Sequence, residues 1–271
     1  MFSEAKVQFS SKDTIRKIKI PLNITPKLAN LIGIHLGDGN IYVSPNNYDY
    51  AVTYTGHLVD EYEWYTKDIS LLIESLFNIF PSIQEDKRKN KSSIRLWVRS
   101  KAIVHFLSEI IGLPRGNKYT CNVPSCILSA SNEIKCAFLS GFFDTDFSLT
   151  FSKRKAKGIH KYPTLSLHTS NTNLAKDIVK LLKGFGFEPY TRYNFEKKVL
   201  DKTHLSNAIE INGKENLEKF MKLIGFSSPK HITKYEVWKR FGFCPPYTTL
   251  AERRNMLAGK LDPLEYYSKN L

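Results

Sequence analysis

The chain is short of cysteine, of long apolar runs and of acidic residues, and each shortage removes a class of protein. Of 271 residues only four are cysteine: Cys121, Cys126, Cys136 and Cys244. That is too few for a disulfide-stapled scaffold, and with no CxxC pair among them a structural zinc site is poorly supported. A reduced, intracellular protein, cytoplasmic or organellar, is the economical expectation. No stretch approaches the roughly 18 uninterrupted apolar residues of a membrane span. The N-terminus, MFSEAKVQFSSKDTIRKIKI, has no apolar core of the signal-peptide type. Neither membrane nor secretion is therefore expected.

Acidic residues number 26 against 40 Lys and Arg, a net charge of +14. Divided at residue 130, the excess is +4 before and +10 after. A basic chain with 13% aromatic residues is a candidate binder of polyanions, nucleic acid above all. Solubility is the bland alternative.

Internal repetition sets the architecture. LIGIHLGDG (31–39) has a counterpart in LSGFFDTDF (139–147), 108 residues on. KDISLL (67–72) resembles KDIVKLL (176–182), and RSKAIVHFLSEIIG (99–112) resembles NGKENLEKFMKLIG (212–225), at offsets of 109 and 113. Three matches in one order predict a duplicated unit of about 110 residues. In the first unit Thr25 is placed to cap a helix and Pro26 to open it. Strands follow at NIYVS and YAVTYT, then a helix from about Asp60 to Phe77 with Tyr62, Tyr65, Ile69 and Leu72 near helical spacing. A strand pair, IQEDKRKN and SSIRLWVR, leads to a helix from Lys101 to Ile111. The second unit repeats the series: a helix over 132–146, strands FSLTFS and TLSLHT, a helix over 172–184, strands FEPYTRYN and LSNAIEI, and a helix from Lys214 to Ile224. The class is α+β, two α-β-β-α-β-β-α repeats with helices on one face of antiparallel sheets. The division expected is 1–127, the first repeat with its linker, and 128–271, the second repeat with a helical tail.

Strand parity divides each sheet. Ile94, Leu96 and Val98 alternate with Arg95, Trp97 and Arg99. Phe147, Leu149 and Phe151 alternate with Ser148, Thr150 and Ser152, and Leu165 and Leu167 with Thr164, Ser166 and His168. A Trp between two arginines on an open sheet face suits contact with nucleic acid.

The paired helices each end in an acid, Asp38 and Asp146. A carboxylate there meets the negative end of the helix dipole and is tolerated if a cation sits nearby. Gly33 and Gly37 stand four apart, as do Gly141 and Thr145, a spacing that lets two helices approach closely. Packed together, the helices bring both acids to one end, where a hard cation relieves the repulsion.

LIGIHLGDG and LSGFFDTDF resemble the two signature motifs of the LAGLIDADG homing endonucleases, in the monomeric, double-motif branch. The repeat pattern and the LPRGNK…NVP stretch before the second motif are similar to that family as well, from about Pro21 to Gly225. The resemblance implies a saddle of two pseudo-twofold-related sheets lying against double-stranded DNA, with the motif helices at its centre. It places metal at Asp38 and Asp146, flanked by Gly37 and Thr145, and the metal implied is Mg²⁺ or another hard divalent cation such as Mn²⁺ or Ca²⁺. The activity implied is staggered cleavage of both strands by two-metal phosphodiester hydrolysis. Lys101 and Lys214, at equivalent helix starts, match the family's central basic residues, and Thr53 lies near its water-positioning residue. Bases are expected to be read by Arg95, Trp97, Arg99, Ser148, Thr150, Ser152, Thr164, Ser166, His168 and Arg192, while Lys155 and Lys157 meet phosphates. Two fused, unequal halves imply a monomer and a loosely palindromic target.

The pattern is broken at one motif position, where Phe147 stands in place of the usual glycine, present as Gly39 in the first motif. His35 reads as a packed or surface histidine, and Asp144 as a capping or pairing acid. The alternatives are an RNA maturase assisting intron splicing, with intron RNA as partner, and a non-cleaving DNA-binding descendant. Two crowded acids argue against the latter. An intein-embedded nuclease is not expected, because the chain starts at Met1 and ends in YYSKNL without splicing residues.

Overall fold

In the first repeat, Thr25 caps the motif helix by accepting a hydrogen bond from the Leu28 amide at 3.2 Å, with Pro26 at its first position. The structure, a computed structural model, describes residues 2, 6–44, 46, 49–88, 91–154, 158–199 and 202–268. Lys155 and Lys157 lie outside the described residues. A short α1 (Ser11–Ile15) precedes the motif helix α2 (Pro26–Asp38), then β1 (Gly39–Ser44) and β2 (Asp49–His57). A π-wound segment (Trp64–Ile69) runs into α3 (Ser70–Phe77), followed by β3 (Ser82–Arg88), β4 (Lys91–Arg99) and α4 (Lys101–His105), which continues as a π turn over Phe106–Ile110. The linker carries α5 (Ser125–Leu128). The second repeat then runs α6 (Asn132–Thr145), β5 (Ser148–Ser152), β6 (Tyr162–Thr169), α7 (Thr172–Gly184), β7 (Tyr190–Val199), β8 (Lys202–Asn212) and α8 (Lys214–Leu223). The tail forms α9 (Pro229–Phe241), α10 (Leu250–Leu257) and α11 (Glu265–Ser268).

Each repeat builds one antiparallel sheet of the same order, β1-β2-β4-β3 and β5-β6-β8-β7. The parity expected of the strands holds: Ile94, Leu96 and Val98, and in the second sheet Leu149, Leu165 and Leu167, are buried against the helices. Arg95, Arg99, Ser148, Thr150, Ser152 and His168 are exposed on the opposite face. This is the two-repeat α+β architecture.

The repeats meet along α2 and α6, and the contact is one of backbones. A Cβ on Gly33 would stand 2.2 Å from the Phe138 carbonyl oxygen, and one on Gly141 2.2 Å from that of Asn30. Glycine is therefore required at the crossing by close approach rather than by backbone dihedrals. The Asn30 side-chain amide donates across it to the Ala137 carbonyl at 3.2 Å.

The helix after β2 departs from the expected spacing. Tyr62 is 44% exposed, whereas Trp64, Tyr65, Ile69, Ile73 and Phe77 are buried. One extra residue per turn over Trp64–Ile69 rotates the buried stripe, and such π turns often sit at functional sites. The tail is not confined to the second repeat. Trp64 Nε1 donates to Ser227 Oγ at 3.3 Å, the Leu250 amide to Asp60 Oδ1 at 2.8 Å, and Arg254 pairs with Glu63 at 2.7 Å. No helix among the described residues is long and apolar enough to cross a membrane.

Candidate functional site

The close crossing of α2 and α6 brings their C-termini together. Asp38 is the last residue of α2 and Asp146 caps α6. Asp146 Oδ1 lies 3.2 Å from where a Cβ on Gly37 would stand, and Thr145 Oγ1 2.0 Å from it. Gly37 is thus what lets the second acid reach the first. Burial pushes the Asp38 carboxyl up to about 7; the neighbouring Glu61 and Asp146 carboxylates push the same way, while the Tyr65 hydroxyl and Lys230 oppose them. Burial raises Asp146 to about 6, against the pull of Lys118. Two acids held that high are poised to gain from a positive partner.

The cations that serve them are Lys118 and Lys230. Lys118, in the linker, donates Nζ to the carbonyls of His35 at 3.0 Å and Leu36 at 2.9 Å, and also to Gly37. It covers the negative end of the α2 dipole where Asp38 sits, and it acts electrostatically with both Asp38 and Asp146. Lys230, on α9, pairs with the buried Glu61 at 2.7 Å and also favours the charged form of Asp38. Tyr65 Oη donates to Asp38 Oδ2 at 2.8 Å, aimed there by the π-wound segment. Sequence periodicity marked Tyr65 only as core, Lys118 lay within the LPRGNK stretch without a role assigned to it, and nothing in the sequence pointed to Glu61 or Lys230.

Lys101 and Lys214 stand elsewhere. The Ser100 amide bonds to the Tyr50 carbonyl, and Lys101 Nζ lies 5.7 Å from the centre of the Tyr50 ring. Tyr50 pairs with Val43, whereas the residue after Asp38, Gly39, pairs with Tyr54. The intervening strand length is about 13 Å at about 3.3 Å per residue. In the second repeat the Gly213 amide bonds to Pro163, which pairs with Phe151, well along β5 from Asp146. Lys214 lines a cavity of about 630 Å³ with Arg154, Tyr162 and Lys239 at that far end. A helix that starts where β4 or β8 ends necessarily begins at the end of the sheet away from the acids.

Phe147 has a structural reason. Its ring stacks on Phe143 at 3.5 Å between centroids, and both are buried beside Phe220. In the first motif the equivalents are Gly39 and His35, and a Cβ on Gly39 would meet His35 Nδ1 at 2.4 Å. The second core thus fills with a Phe pair the space that the first closes with an imidazole under a glycine. His35 is buried against Tyr54, and burial lowers its basicity to a pKa of about 3. Asp144 accepts from Ser227 N at 2.9 Å, Ser227 Oγ at 2.7 Å and Ser228 N at 3.0 Å, anchoring the start of α9.

The open faces differ in chemistry. On the first, Arg95 and Arg99 flank the Trp97 ring at 5.8 and 4.8 Å, Arg95 Nε donates to Thr55 Oγ1, and Trp97 Nε1 donates to Gln84 Oε1. Thr53 pairs with Asn40 and Trp97, on the β2 stretch nearer Asp38. On the second, Ser148 faces Ser166 and Thr150 faces Thr164, whose hydroxyl donates to Asn212 at 2.7 Å. Arg192 lies over the Phe195 ring at 4.3 Å beside a β-bulge, with His168 one strand pair away.

The donors suit a hard cation. Asp38 and Asp146 offer carboxylate oxygens at one end of the helix pair, and among the described residues Asp146 accepts no hydrogen bond. Gly37 gives its carbonyl to Lys118, and the Thr145 hydroxyl donates back into its own helix, to the Phe142 and Gly141 carbonyls, while both residues set the approach of the helices. Among the described residues no three His, Cys, Asp or Glu side chains converge on a metal position. Two carboxylates leave the remaining oxygen positions to water and substrate, as hard cations commonly do.

Comparison with known proteins bears on the fold. Residues 133–225 match the family described as LAGLIDADG-like domain. The homing endonuclease I-DmoI, in complex with DNA and Ca, has a TM-score of 0.53 at 17% identity, covering 79% of this chain and 98% of that one. A lysine-to-alanine mutant of I-SmaMI has a TM-score of 0.50 at 13% identity, covering 90% and 96%. At such identities the likeness is one of fold. The isomerizing glutamine–fructose-6-phosphate aminotransferase of Methanocaldococcus jannaschii is 25% identical over 225 residues, which is 81% of this chain. The chain spans only 18% of the length of that relative.

Proposed function

We propose that this two-repeat protein, whose residues 133–225 match the LAGLIDADG-like domain and whose fold is that of the homing endonucleases, is a site-specific endonuclease that cuts both strands of double-stranded DNA. The observation that carries the reading is the acid pair, two carboxylates, Asp38 half-buried and Asp146 open to solvent, at one end of a backbone-to-backbone helix crossing and each beside a lysine. A binding surface has no need of such a pair, whose mutual repulsion costs stability. Asp38 and Asp146 would hold the divalent cation, which supplies charge neutralisation at the scissile phosphate and a more acidic water. Tyr65 fixes the rotamer of Asp38. Lys118 and Lys230 add positive charge where a pentacoordinate phosphate develops its own negative charge. The two sheets lay the duplex across this centre, and their unequal faces read unequal half-sites, so the protein acts as a monomer.

The test is incubation of the full chain with a randomised duplex library in Mg²⁺ or Mn²⁺, followed by sequencing of product ends. Staggered ends at one long, loosely palindromic sequence are expected. Tight binding to the library without product in either metal overturns the endonuclease reading.

A further inference from the structure

Between β5, the residues just after β2 and the tail lies a cavity of about 780 Å³ that the acid pair does not use. Lys230, Lys234 and Arg253 line it from the tail, Thr150 and Ser152 from the open face of β5, and Asp60 is its one lining carboxylate. Asp60 Oδ1 is already taken by the Leu250 amide at 2.8 Å. Arg253 is fully buried. Its Nε donates to Thr233 Oγ1 at 2.9 Å and its Nη1 to the Thr248 carbonyl, but Nη2 has no partner among the described residues. Among the described residues Lys234 donates to the Leu149 carbonyl alone, at 3.1 Å. Neither Lys234 nor Arg253 forms a salt bridge among the described residues.

Two cations set into the protein without a salt bridge, with Asp60 as the carboxylate that favours their charged forms from a distance, are costly. The burden shows in Lys234, whose ammonium burial pulls down to about 8, with Arg253 and Lys230 pulling the same way. A guanidinium with a free N–H beside an ammonium and two hydroxyls matches the oxygens of a phosphate, which accept several charge-assisted bonds at once. The hydroxyls also fix where that phosphate comes from. Thr150 and Ser152 are exposed on the same open face as Ser148, so the cavity is continuous with the surface proposed to carry DNA.

We propose that this cavity is a phosphate-binding site in which Lys234 and Arg253 of the tail clamp a backbone phosphodiester of the DNA lying on the second sheet. The identity of the donor strand as DNA rests on the endonuclease reading; the phosphate chemistry does not. The tail then has a function of its own, holding the second half-site from outside the repeat.

Two readouts on the full-length protein test it, using Lys234→Gln, which keeps a donor for the Leu149 carbonyl, and Arg253→Gln. The first is the slope of log affinity against log salt for a duplex. Each variant is expected to have a shallower slope, by up to about 0.9, the full contribution of one neutralised phosphate. The second is the melting temperature in inorganic phosphate against chloride at equal ionic strength. Wild type is expected to gain stability in phosphate and the variants are not. If Arg253→Gln does not fold, Lys234→Gln decides both. Loss of the phosphate effect with an unchanged duplex slope keeps the site but assigns it to free phosphate, overturning DNA as the source. Unchanged slopes together with no phosphate stabilisation of wild type overturn the proposal. Should wild type bind no duplex, the endonuclease reading fails, and the melting experiment alone judges the site.

Discussion

The residue after the acid is Gly39 in the first repeat and Phe147 in the second; four positions earlier stand His35 and Phe143. The first pair closes an imidazole under a bare backbone, and the second stacks two rings in the core. The acids differ accordingly. Asp38 is held by Tyr65 and shares its surroundings with Glu61 and Lys230, whereas the cation beside Asp146 is Lys118 of the linker. One backbone plan therefore supports two different electrostatic sites, and the difference comes from parts outside the motifs: a π-wound helix, a linker lysine and a tail lysine. Duplication supplied the symmetry of the helix crossing, but each half completes its acid from its own surroundings.

The largest expected effect treats the acids as equals. Asp38→Asn and Asp146→Asn should each lower double-strand cleavage by at least about 100-fold, the scale of losing one transition-state charge partner, with duplex binding retained. Plasmid linearisation in Mg²⁺ measures it. Wild-type linearisation by either variant removes that acid from the site.

The motif position after the acid should respond to opposite changes in the two halves. Phe147→Ala leaves a cavity beside Phe143 and Phe220 and should cost about 3–5 kcal/mol. Gly39→Ala forces a methyl group into His35 and should cost about 1–3 kcal/mol. Urea midpoints rank them, and a reversed ranking breaks the account of how the two cores are filled.

The open faces provide a smaller contrast. Arg95→Ala and Arg99→Ala should relax preference at one or two base pairs of one half-site, by about 1–3 kcal/mol each. Hydroxyl losses at Thr164 or Ser166 should act on the other half-site only. Binding-site selection at fixed ionic strength tests this; uniform loss of affinity by the arginine variants would show that they touch phosphates instead.

The smallest effect separates the acids themselves. Both are raised above their usual value of 3.8, so between that pH and the folded value the folded protein holds a proton that the unfolded chain has released. Their protonation favours the folded state at low pH, and this contribution is lost as pH rises, through about 6 for Asp146 and about 7 for Asp38. In metal-free buffer Asp38→Asn should flatten the stability profile up to higher pH than Asp146→Asn. Identical profiles for the two variants would mean that Tyr65 and Lys230 cancel the effect of Glu61.

Much of this molecule is written along the chain. Helix and strand order, the crossing glycines, the two acids and the alternation that exposes Arg95 and Arg99 all follow from short-range periodicity and from a repeat of about 110 residues. Those patterns are local, because a residue's face on a helix or strand depends only on its neighbours. The partners of the acids are not local. Lys118 reaches carbonyls 81 to 83 residues away, and Lys230 meets Glu61 across 169. Tyr65 is turned to Asp38 by an extra residue per turn that no amphipathic pattern announces. Lys101 and Lys214 occupy equivalent helix starts, yet strand register puts them a strand's length from the chemistry. The sequence by itself determined which elements form and which faces they bury, because both are set by spacing. Only the tertiary structure decided which charges meet, because burial and approach between distant segments depend on how the helices, linker and tail close on one another.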